Sequence, residues 1–300
     1  MRRLILEAPA KINLSLDVVG RRDDGYHLLS TVMQSLRLSD RVNLSVGLDL
    51  PRIDLSCDRA GIPLNQRNTA WRAADLFLHA AGLSGRDGHG IQIKIEKRIP
   101  VEAGLAGGSA DAAAVLFGLD ILFPGLIEHD RLFDLAARIG ADVPFCLKGG
   151  TVLCQGIGEQ LTPLPAWNDM MILLCKPTGG LLTSWVFGNL EMTSVTHRPY
   201  QAGVLEAIRN QDLAGLANST ANVLETVSLP ARPELARIKQ TLLASGAVLA
   251  MMSGSGPTVF GVFQDRRDLA VASENLSRQI PGLELIVTTS SDSGPQVIPD

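Results

Sequence analysis

The sequence predicts an α+β protein with two domains, and three observations support this prediction. The chain has 300 residues, 46% of them hydrophobic, which is enough to bury one large or two modest cores. Residues 91–122 read as a strand, a glycine-rich loop and a helix. Residues 247–263 read as a strand, a glycine turn and a strand, a pattern typical of antiparallel pairs.

A proline-rich segment near the middle of the chain predicts the domain boundary. Pro163 and Pro165 are followed there by Trp167. We therefore expect an N-terminal domain over 1–164 and a C-terminal domain over 165–289. The polar residues 290–300 predict a frayed, flexible tail.

The first part of the chain alternates in hydrophobicity, as strands do. Apolar residues at every second position over 12–18 share one face, and Lys11 and Asn13 fall on the other. A polar turn over 20–27 ends in the two rings of Tyr26 and His27. These rings fit either half-buried packing at a strand edge or a platform for a flat ligand.

The remaining elements follow from the same periodicities and from their flanking residues. Residues 42–55 predict one or two strands, and 68–78 a helix with Asn68 or Thr69 near its N-cap. Residues 131–139 predict a helix that stops at Gly140. In the second half, the pattern predicts strands over 170–175 and 283–288. It predicts helices over 183–190, 202–245 and 270–278, and the second of these is interrupted at Pro230 and Pro233.

The glycine-rich loop over 100–114 is the strongest local signal. Gly104, Gly107 and Gly108 allow positive φ and close approach of a ligand, and Ser109 can cap the helix that follows. A helix N-terminus with free N–H groups binds anions, so we expect phosphate here. The loop matches neither the Walker pattern nor G-x-G-x-x-G. A turn that caps a core helix and binds nothing is the alternative.

Asp142 stands between the helix stop at Gly140 and the apolar run that contains Pro144. It can cap a short helix with Pro144 in the first turn. It can also be a carboxylate held rigidly at a cleft. The local sequence fits both interpretations.

Composition excludes several classes of function. The net charge of −4, with scattered Lys and Arg, argues against a nucleic-acid partner. The apolar run after Met1 is too short for a signal peptide, and no segment is long enough to span a bilayer, so we expect a cytoplasmic protein with no membrane partner. The four cysteines lack metal-site spacing and predict ordinary buried thiols.

Three motifs in this order resemble those of the GHMP kinases, the family of galactokinase, homoserine, mevalonate and phosphomevalonate kinases. They are Ala-Pro-Ala-Lys-Ile-Asn-Leu over 8–14, the loop over 100–114 and Met-Ser-Gly-Ser-Gly-Pro over 252–257. The resemblance implies an N-terminal ribosomal-protein-S5-domain-2-like domain, a C-terminal ferredoxin-like domain and an active site in the cleft between them. Ala106 and Ala110 depart from the family's usual glycine and serine, and Pro257 replaces a small residue.

The resemblance implies an ATP- and Mg²⁺-dependent kinase that acts on an alcohol. Within the family, Gly25-Tyr26-His27 and Ala141 to Phe145 are similar to members whose alcohol carries a cytidine diphosphate group and serves non-mevalonate isoprenoid synthesis. The implied catalytic residues are Lys11 as the charge partner and Asp142 as the base, with Ser109 as a metal ligand.

The resemblance also implies two sets of binding residues. The implied substrate-binding residues are Asn13, Tyr26, His27, Thr183 and Phe187. In this arrangement the rings of Tyr26 and Phe187 stack on the two faces of cytosine. The alternative for Thr183 is a plain helix cap. ATP contacts fall to Pro100, Val101, Glu102, Ala103, Gly104, Leu105, Ala106, Gly107, Gly108, Ser109 and Ala110, with Asn68, Lys97 and Asp111 beside adenine.

Two other functions fit the same motifs. One is a GHMP kinase for mevalonate, homoserine or a sugar alcohol, which needs no ring pair for a pyrimidine. The other is a non-catalytic ligand sensor that kept the fold. The presence of both Lys11 and Asp142 counts against the sensor.

Overall fold

The computed structural model describes residues 2–23, 25–48, 50–83 and 90–299. Strands and helices are mixed along the chain, as predicted. The strands are β1 Arg2–Arg21, β2 His27–Gly47, β3 Ile53–Cys57, β4 Gly90–Glu96, β5 Thr151–Gly156, β6 Gln160–Pro163, β7 Met171–Lys176, β8 Leu249–Met252, β9 Val259–Phe263, β10 Glu284–Ser291 and β11 Gln296–Ile298. The helices are α1 Thr69–Ala80, α2 Gly107–Leu122, α3 His129–Ile139, α4 Val143–Lys148, α5 Thr183–Gly188, α6 Gln201–Asn210, α7 Leu213–Ser219, α8 Glu225–Ala231, α9 Pro233–Ala244 and α10 Arg266–Gln279, with a 3₁₀ turn at Met192–Ser194.

The first two strands form one long antiparallel hairpin. Its register runs from Arg2 opposite Val46 to Arg21 opposite His27. The register shifts between Pro9 and Lys11 and again beyond Asn13. Bulges re-aim side chains, and these two flank the polar residues that the alternation predicts on one face of β1.

Strand β2 is the centre of the sheet. Its whole length pairs with β1, and its other edge pairs in turn with β5, β10 and β4. The second half of the chain adds the order β10-β7-β9-β8, all antiparallel. The contact between Ser290 and Leu36 joins this part to β2.

Helix α2 is the core helix of the first half. Its apolar residues surround the whole helix rather than one stripe, which is typical of a buried helix, and ten of its 16 residues are buried. Gly118 allows it to lie close to the sheet, because a Cβ there would come within 2.8 Å of Leu6 and 2.7 Å of Leu44. This packing fixes the N-terminus of α2 relative to β1 and β2.

The end of the chain differs from the expected flexible tail. Strand β11 pairs antiparallel with β1, opposite Ile5 to Glu7. The side-chain amide of Gln34 donates to the carbonyl oxygen of Ser291 at 2.8 Å. The prediction was wrong because the hydrogen-bonding edge of β1 holds this segment, although its own composition is polar.

Further differences concern the helices of the second half. Residues 201–244 form four helices instead of two or three, and Pro230 lies inside the last turn of α8 rather than breaking it. Pro233 begins α9, a position that suits proline. Within the described residues, none of the helices has both the length and the hydrophobicity to cross a membrane.

Candidate active site

A cleft of about 910 Å³ lies between the two halves. Its walls come from β1, β2, the glycine-rich loop, α5 and the turn after β8. The lining combines the buried polar side chains of Lys11 and Asn13 on β1 with residues of the glycine-rich loop. All three motifs therefore contribute to one cavity.

Lys11 and Asp142 meet inside this cleft. The ammonium nitrogen of Lys11 lies 3.6 Å from Oδ2 of Asp142, with side-chain exposures of 4% and 32%. The same ammonium donates to Oδ1 of Asn13 at 2.8 Å. The amide of Asn13 donates to the hydroxyl of Thr31 at 2.8 Å. This chain of contacts orients Lys11 towards a carboxylate that remains open to the cleft.

Asp142 occupies the N-cap position of α4, and Pro144 lies in the first turn, as the local sequence predicts. Its carboxylate nevertheless accepts no hydrogen bond from the helix N–H groups. The side chain faces Lys11 instead. The capping position therefore places Asp142, while its carboxylate stays available for chemistry.

The turn after β8 closes the cleft behind Lys11. A Cβ at Gly254 would lie 3.3 Å from the ammonium of Lys11 and 3.4 Å from Oδ1 of Asn13. Buried Asn222 donates to the carbonyl oxygens of Met252 and Gly254, each at 2.8 Å. The backbone of this turn thus lies directly against Lys11 and Asn13 of β1.

The glycine-rich loop has a different conformation from the one expected. Gly104 does have a positive φ of 74°, and a Cβ there would lie 2.3 Å from the carbonyl oxygen of Ser253. Gly107 and Gly108 are the first residues of α2 and have no positive φ. Instead, Ala106 takes the left-handed conformation with φ 58°. The departure from glycine at 106 therefore falls on a position that favours glycine.

The carbonyl groups of the loop point into the protein. The oxygen of Leu105 accepts from the backbone N–H of Lys11 at 3.1 Å, and the oxygen of Gly104 accepts from the hydroxyl of Ser253 at 3.0 Å. The first N–H groups of α2 have no carbonyl partner within the helix. Because the loop is anchored through its oxygens, its N–H groups can face the cleft.

Three predicted loop contacts need correction. Ser109 is the third residue of α2 rather than its cap, and the N-cap is Ala106, which forms no side-chain capping bond. Ser109 still lines the cleft. Leu105 and Ala110 are 1% exposed, belong to the core and do not line the cleft.

The three residues expected beside adenine are already engaged with the protein. The carboxamide of Asn68 accepts from the N–H of Ala70 and donates to the oxygen of Pro63, both at 2.8 Å, so it caps α1. Lys97 donates to Asp111 at 2.8 Å in a buried ion pair. All three residues line the cleft.

Rings from the two halves line the other end of the cleft. The rings of His27 and Phe187 have centroids 5.2 Å apart, tilted by 36°, which is within the range of aromatic pairs. Tyr26 lines the same region and is 62% exposed. Burial, and then the charge of Arg21, lower the pKa of His27 below its ordinary 6.5. Both effects favour the neutral imidazole.

Thr183 is the first residue of α5, whose N-cap is Leu182, so it is not the cap. Its hydroxyl lies 2.9 Å from the hydroxyl of Ser255. A pair of hydroxyls needs one hydrogen for its mutual bond, so a second hydrogen is left to donate elsewhere. This pair faces the cleft between the loop and the rings.

The cleft also contains residues that the sequence did not assign to it. Gly25, Ala141, Gly254 and Ser255 lay within recognised motifs, so a signal for them was present. The others come from segments without a motif. They are Leu16, Arg21, Leu29, Thr31, Met33, Ile62, Pro63, Arg67, Thr69, Ile157, Ser184, Gly188 and Leu224.

Comparison with known proteins gives matches in both halves of the chain. Residues 68–150 match the family model of the GHMP kinases N terminal domain. Residues 204–282 match the model of the GHMP kinases C terminal domain. The two matches lie on either side of the predicted domain boundary.

Individual proteins are similar over nearly the whole chain. A 4-diphosphocytidyl-2-C-methyl-D-erythritol kinase of Acetivibrio thermocellus is 44% identical over 276 residues, covering 92% of this chain and 95% of the relative. A crystal structure of 4-(cytidine 5'-diphospho)-2C-methyl-D-erythritol kinase superimposes with a TM-score of 0.79 at 33% identity, covering 97% and 100% of the two chains. A homoserine kinase from Cytophaga hutchinsonii has the same fold, with a TM-score of 0.79 at 19% identity over 99% and 98% of the chains.

Proposed function

The chain belongs to the GHMP kinase family, and we propose that it transfers the γ-phosphate of ATP to the 2-hydroxyl of 4-diphosphocytidyl-2-C-methyl-D-erythritol in isoprenoid biosynthesis. The observation that carries this proposal is the content of one cleft. It contains an anion-binding loop, a lysine–aspartate pair and a pair of rings.

The glycine-rich loop suits the β- and γ-phosphates of ATP. Phosphoryl transfer depends mainly on positioning and on neutralising charge. The N–H groups at the start of α2, together with the positive end of the helix dipole, supply both. Anchoring of the loop carbonyls by Lys11 and Ser253 preorganises these donors.

Asp142 is the general base of the proposed reaction. As the 2-hydroxyl oxygen attacks the γ-phosphorus, its proton passes to the carboxylate of Asp142 and ADP leaves. The ammonium of Lys11, 3.6 Å from that carboxylate, stabilises negative charge on the acceptor oxygen and the transferring phosphoryl group. Asn13 holds the ammonium in this orientation.

Mg²⁺ would neutralise charge on the triphosphate of bound ATP. The hydroxyl of Ser109 lines the cleft at the first turn of α2, so it fits a metal ligand. The described part of the chain contains no cluster of three or more His, Cys, Asp or Glu side chains for a metal. Magnesium commonly completes its coordination with phosphate oxygens and water, which suits such a site.

The ring end of the cleft suits cytosine. Phe187 offers a flat face for stacking, and exposed Tyr26 can close over the base from the other side. Neutral His27 has one ring nitrogen that donates and one that accepts, which matches the mixed donor and acceptor edge of cytosine. Asn13 and the hydroxyl pair of Thr183 and Ser255 lie where hydroxyl and diphosphate groups would pass.

An acceptor panel tests the proposal directly. Purified protein is given ATP with the diphosphocytidyl methylerythritol, mevalonate, homoserine or galactose, and ADP release is measured. We expect kcat/KM for the cytidylyl alcohol to exceed the others by at least about a hundredfold, because a stacked ring pair and a hydrogen-bonded edge select one base. A preference for mevalonate, homoserine or galactose would instead support another GHMP kinase activity. No turnover with any of the four alcohols would support a non-catalytic ligand sensor.

A further inference from the structure

Behind the glycine-rich loop lies a buried ion cluster, which consists of Asp40, Lys97 and Asp111. The ammonium of Lys97 donates to Oδ2 of Asp40 and, at 2.8 Å, to Oδ2 of Asp111. The side-chain exposures of the three residues are 6% or less. Burying charges in this way adds little net stability, since desolvation offsets their attraction. The cluster therefore calls for an explanation other than stability.

The second oxygen of Asp40 anchors the beginning of the loop. Its Oδ1 accepts from the backbone N–H of Arg98 at 2.6 Å and of Ile99 at 2.8 Å. These residues immediately precede Pro100, where the loop begins. A charged acceptor with two backbone donors is among the stronger hydrogen-bond arrangements. One side chain on β2 thus fixes the point where the chain enters the loop.

Lys97 carries this anchorage to the other end of the loop. Asp111 belongs to α2, and a Cβ at Gly107 would lie 3.2 Å from the ammonium of Lys97. An ammonium near the N-terminus of a helix is unfavourable, because the helix dipole is positive there. The two carboxylates compensate for this, so Lys97 can lie against the first turn of α2.

We propose that Asp40 is a positioning residue of the nucleotide site. Through Lys97 it sets the distance between the two ends of the glycine-rich loop, and so the placement of the loop N–H groups that hold phosphate. Asp40 does not line the cleft, so it acts through the loop rather than on the ligand. The identification of the bound anion as the phosphate groups of ATP rests on the proposed kinase function.

Direct binding of two ligands tests this role. The dissociation constant of ATP is measured by calorimetry, and that of adenosine by competition against ATP, for wild type, Asp40→Ala and Asp40→Asn. Asp40→Ala removes both anchors, and we expect it to weaken ATP at least tenfold and adenosine less than threefold. Asp40→Asn keeps an oxygen for the N–H groups of Arg98 and Ile99 but loses the charge beside Lys97. We therefore expect its ATP affinity to lie between those of wild type and Asp40→Ala.

A matched control separates positioning from lost stability. Leu276 is buried in α10 and does not line the cleft. Leu276→Ala opens a cavity there, and we expect it to lower the melting temperature while leaving ATP affinity within twofold of wild type. Equal weakening of ATP and adenosine by Asp40→Ala, or loss of ATP affinity in Leu276→Ala, would overturn the proposal. If Asp40→Ala does not fold, wild-type ATP affinity in Asp40→Asn overturns it. Because no alcohol is present, a wrong acceptor assignment leaves this result unaffected.

Discussion

The role of general base is the most demanding role proposed for a single residue, and it belongs to Asp142. Its position in the chain suits a helix cap, yet its carboxylate faces Lys11 at 3.6 Å and stays partly open to the cleft. We predict that Asp142→Asn lowers kcat by roughly 10²- to 10⁴-fold, as removal of a general base does. KM for both substrates should change little, because the amide keeps the size of the side chain.

Steady-state kinetics with saturating ATP measures this effect. The control is Asp134→Asn, which removes an exposed carboxylate on α3. A kcat for Asp142→Asn close to that of the control would contradict the role as base.

Phe187 is the ring that faces His27 across the cleft. Stacking contributes about 1–3 kcal/mol per base, so Phe187→Ala should raise KM for the cytidylyl alcohol by roughly 5- to 150-fold. KM for ATP should remain the same. Trp185→Ala is the matched control, since Trp185 lies on the same helix, is 44% exposed and does not line the cleft. Equal changes in the two KM values would argue against stacking.

Asp111 makes stability depend on pH. Burial is the main cause that raises its pKa from 3.8 to about 7; Lys97 opposes this shift and Asp40 adds to it. The folded protein therefore binds a proton that the unfolded chain releases near pH 4, so this group's contribution falls as pH rises from about 4 to 7. We predict that Asp111→Asn gains stability relative to wild type as pH rises from about 4 to about 7. Urea unfolding at several pH values measures the difference, and parallel pH curves for the two proteins would contradict it.

At the scale of elements, the loop and α2 form a unit whose weak point is Ala106. A left-handed alanine is strained by about 1–2 kcal/mol, whereas glycine takes this conformation freely. Glycine also has more conformational entropy in the unfolded chain, which offsets part of this gain. We therefore predict that Ala106→Gly raises the free energy of unfolding by up to about 1 kcal/mol.

The matched control lies in the same helix. Ala113 is buried within α2, so Ala113→Gly should lower the free energy of unfolding by about 1 kcal/mol or more. Urea denaturation of both variants gives opposite signs if the loop conformation is as described. A loss of stability in Ala106→Gly would show that residue 106 is not strained.

At the scale of the whole molecule, the two halves are tied together by short strand pairings. Backbone groups of Leu16 bond to Ala221 and Val223 at 2.9 and 3.0 Å, and β11 returns to the edge of β1. We predict that truncation after Gly294, which removes β11, lowers the free energy of unfolding by roughly 1–3 kcal/mol, at about 1 kcal/mol for each lost hydrogen bond.

The site should survive this truncation, because β11 pairs with β1 before Lys11. Differential scanning calorimetry of the full-length and truncated chains measures the loss, and kcat at 25 °C serves as the control. Coincident unfolding curves would restore the interpretation of residues 290–300 as a frayed tail.

The sequence by itself determined the features that depend on near neighbours. Alternation predicted β1 and β2, Gly140 and Pro144 predicted the boundary between α3 and α4, and the glycine-rich loop was placed before its helix. Such signals are local because side-chain periodicity, turns and caps act over a few residues. The choice between a cap and a cleft carboxylate at Asp142 was left open by the same local signals.

Only the tertiary structure decided which distant groups meet. It brings Lys11 to Asp142, Thr183 to Ser255 and Asp40 to the loop entrance, and it converts a polar tail into β11. It also placed the left-handed turn at Ala106, because Gly107 and Gly108 are taken up by α2. These outcomes depend on strand pairing and on burial across the whole chain, which no short stretch of sequence encodes.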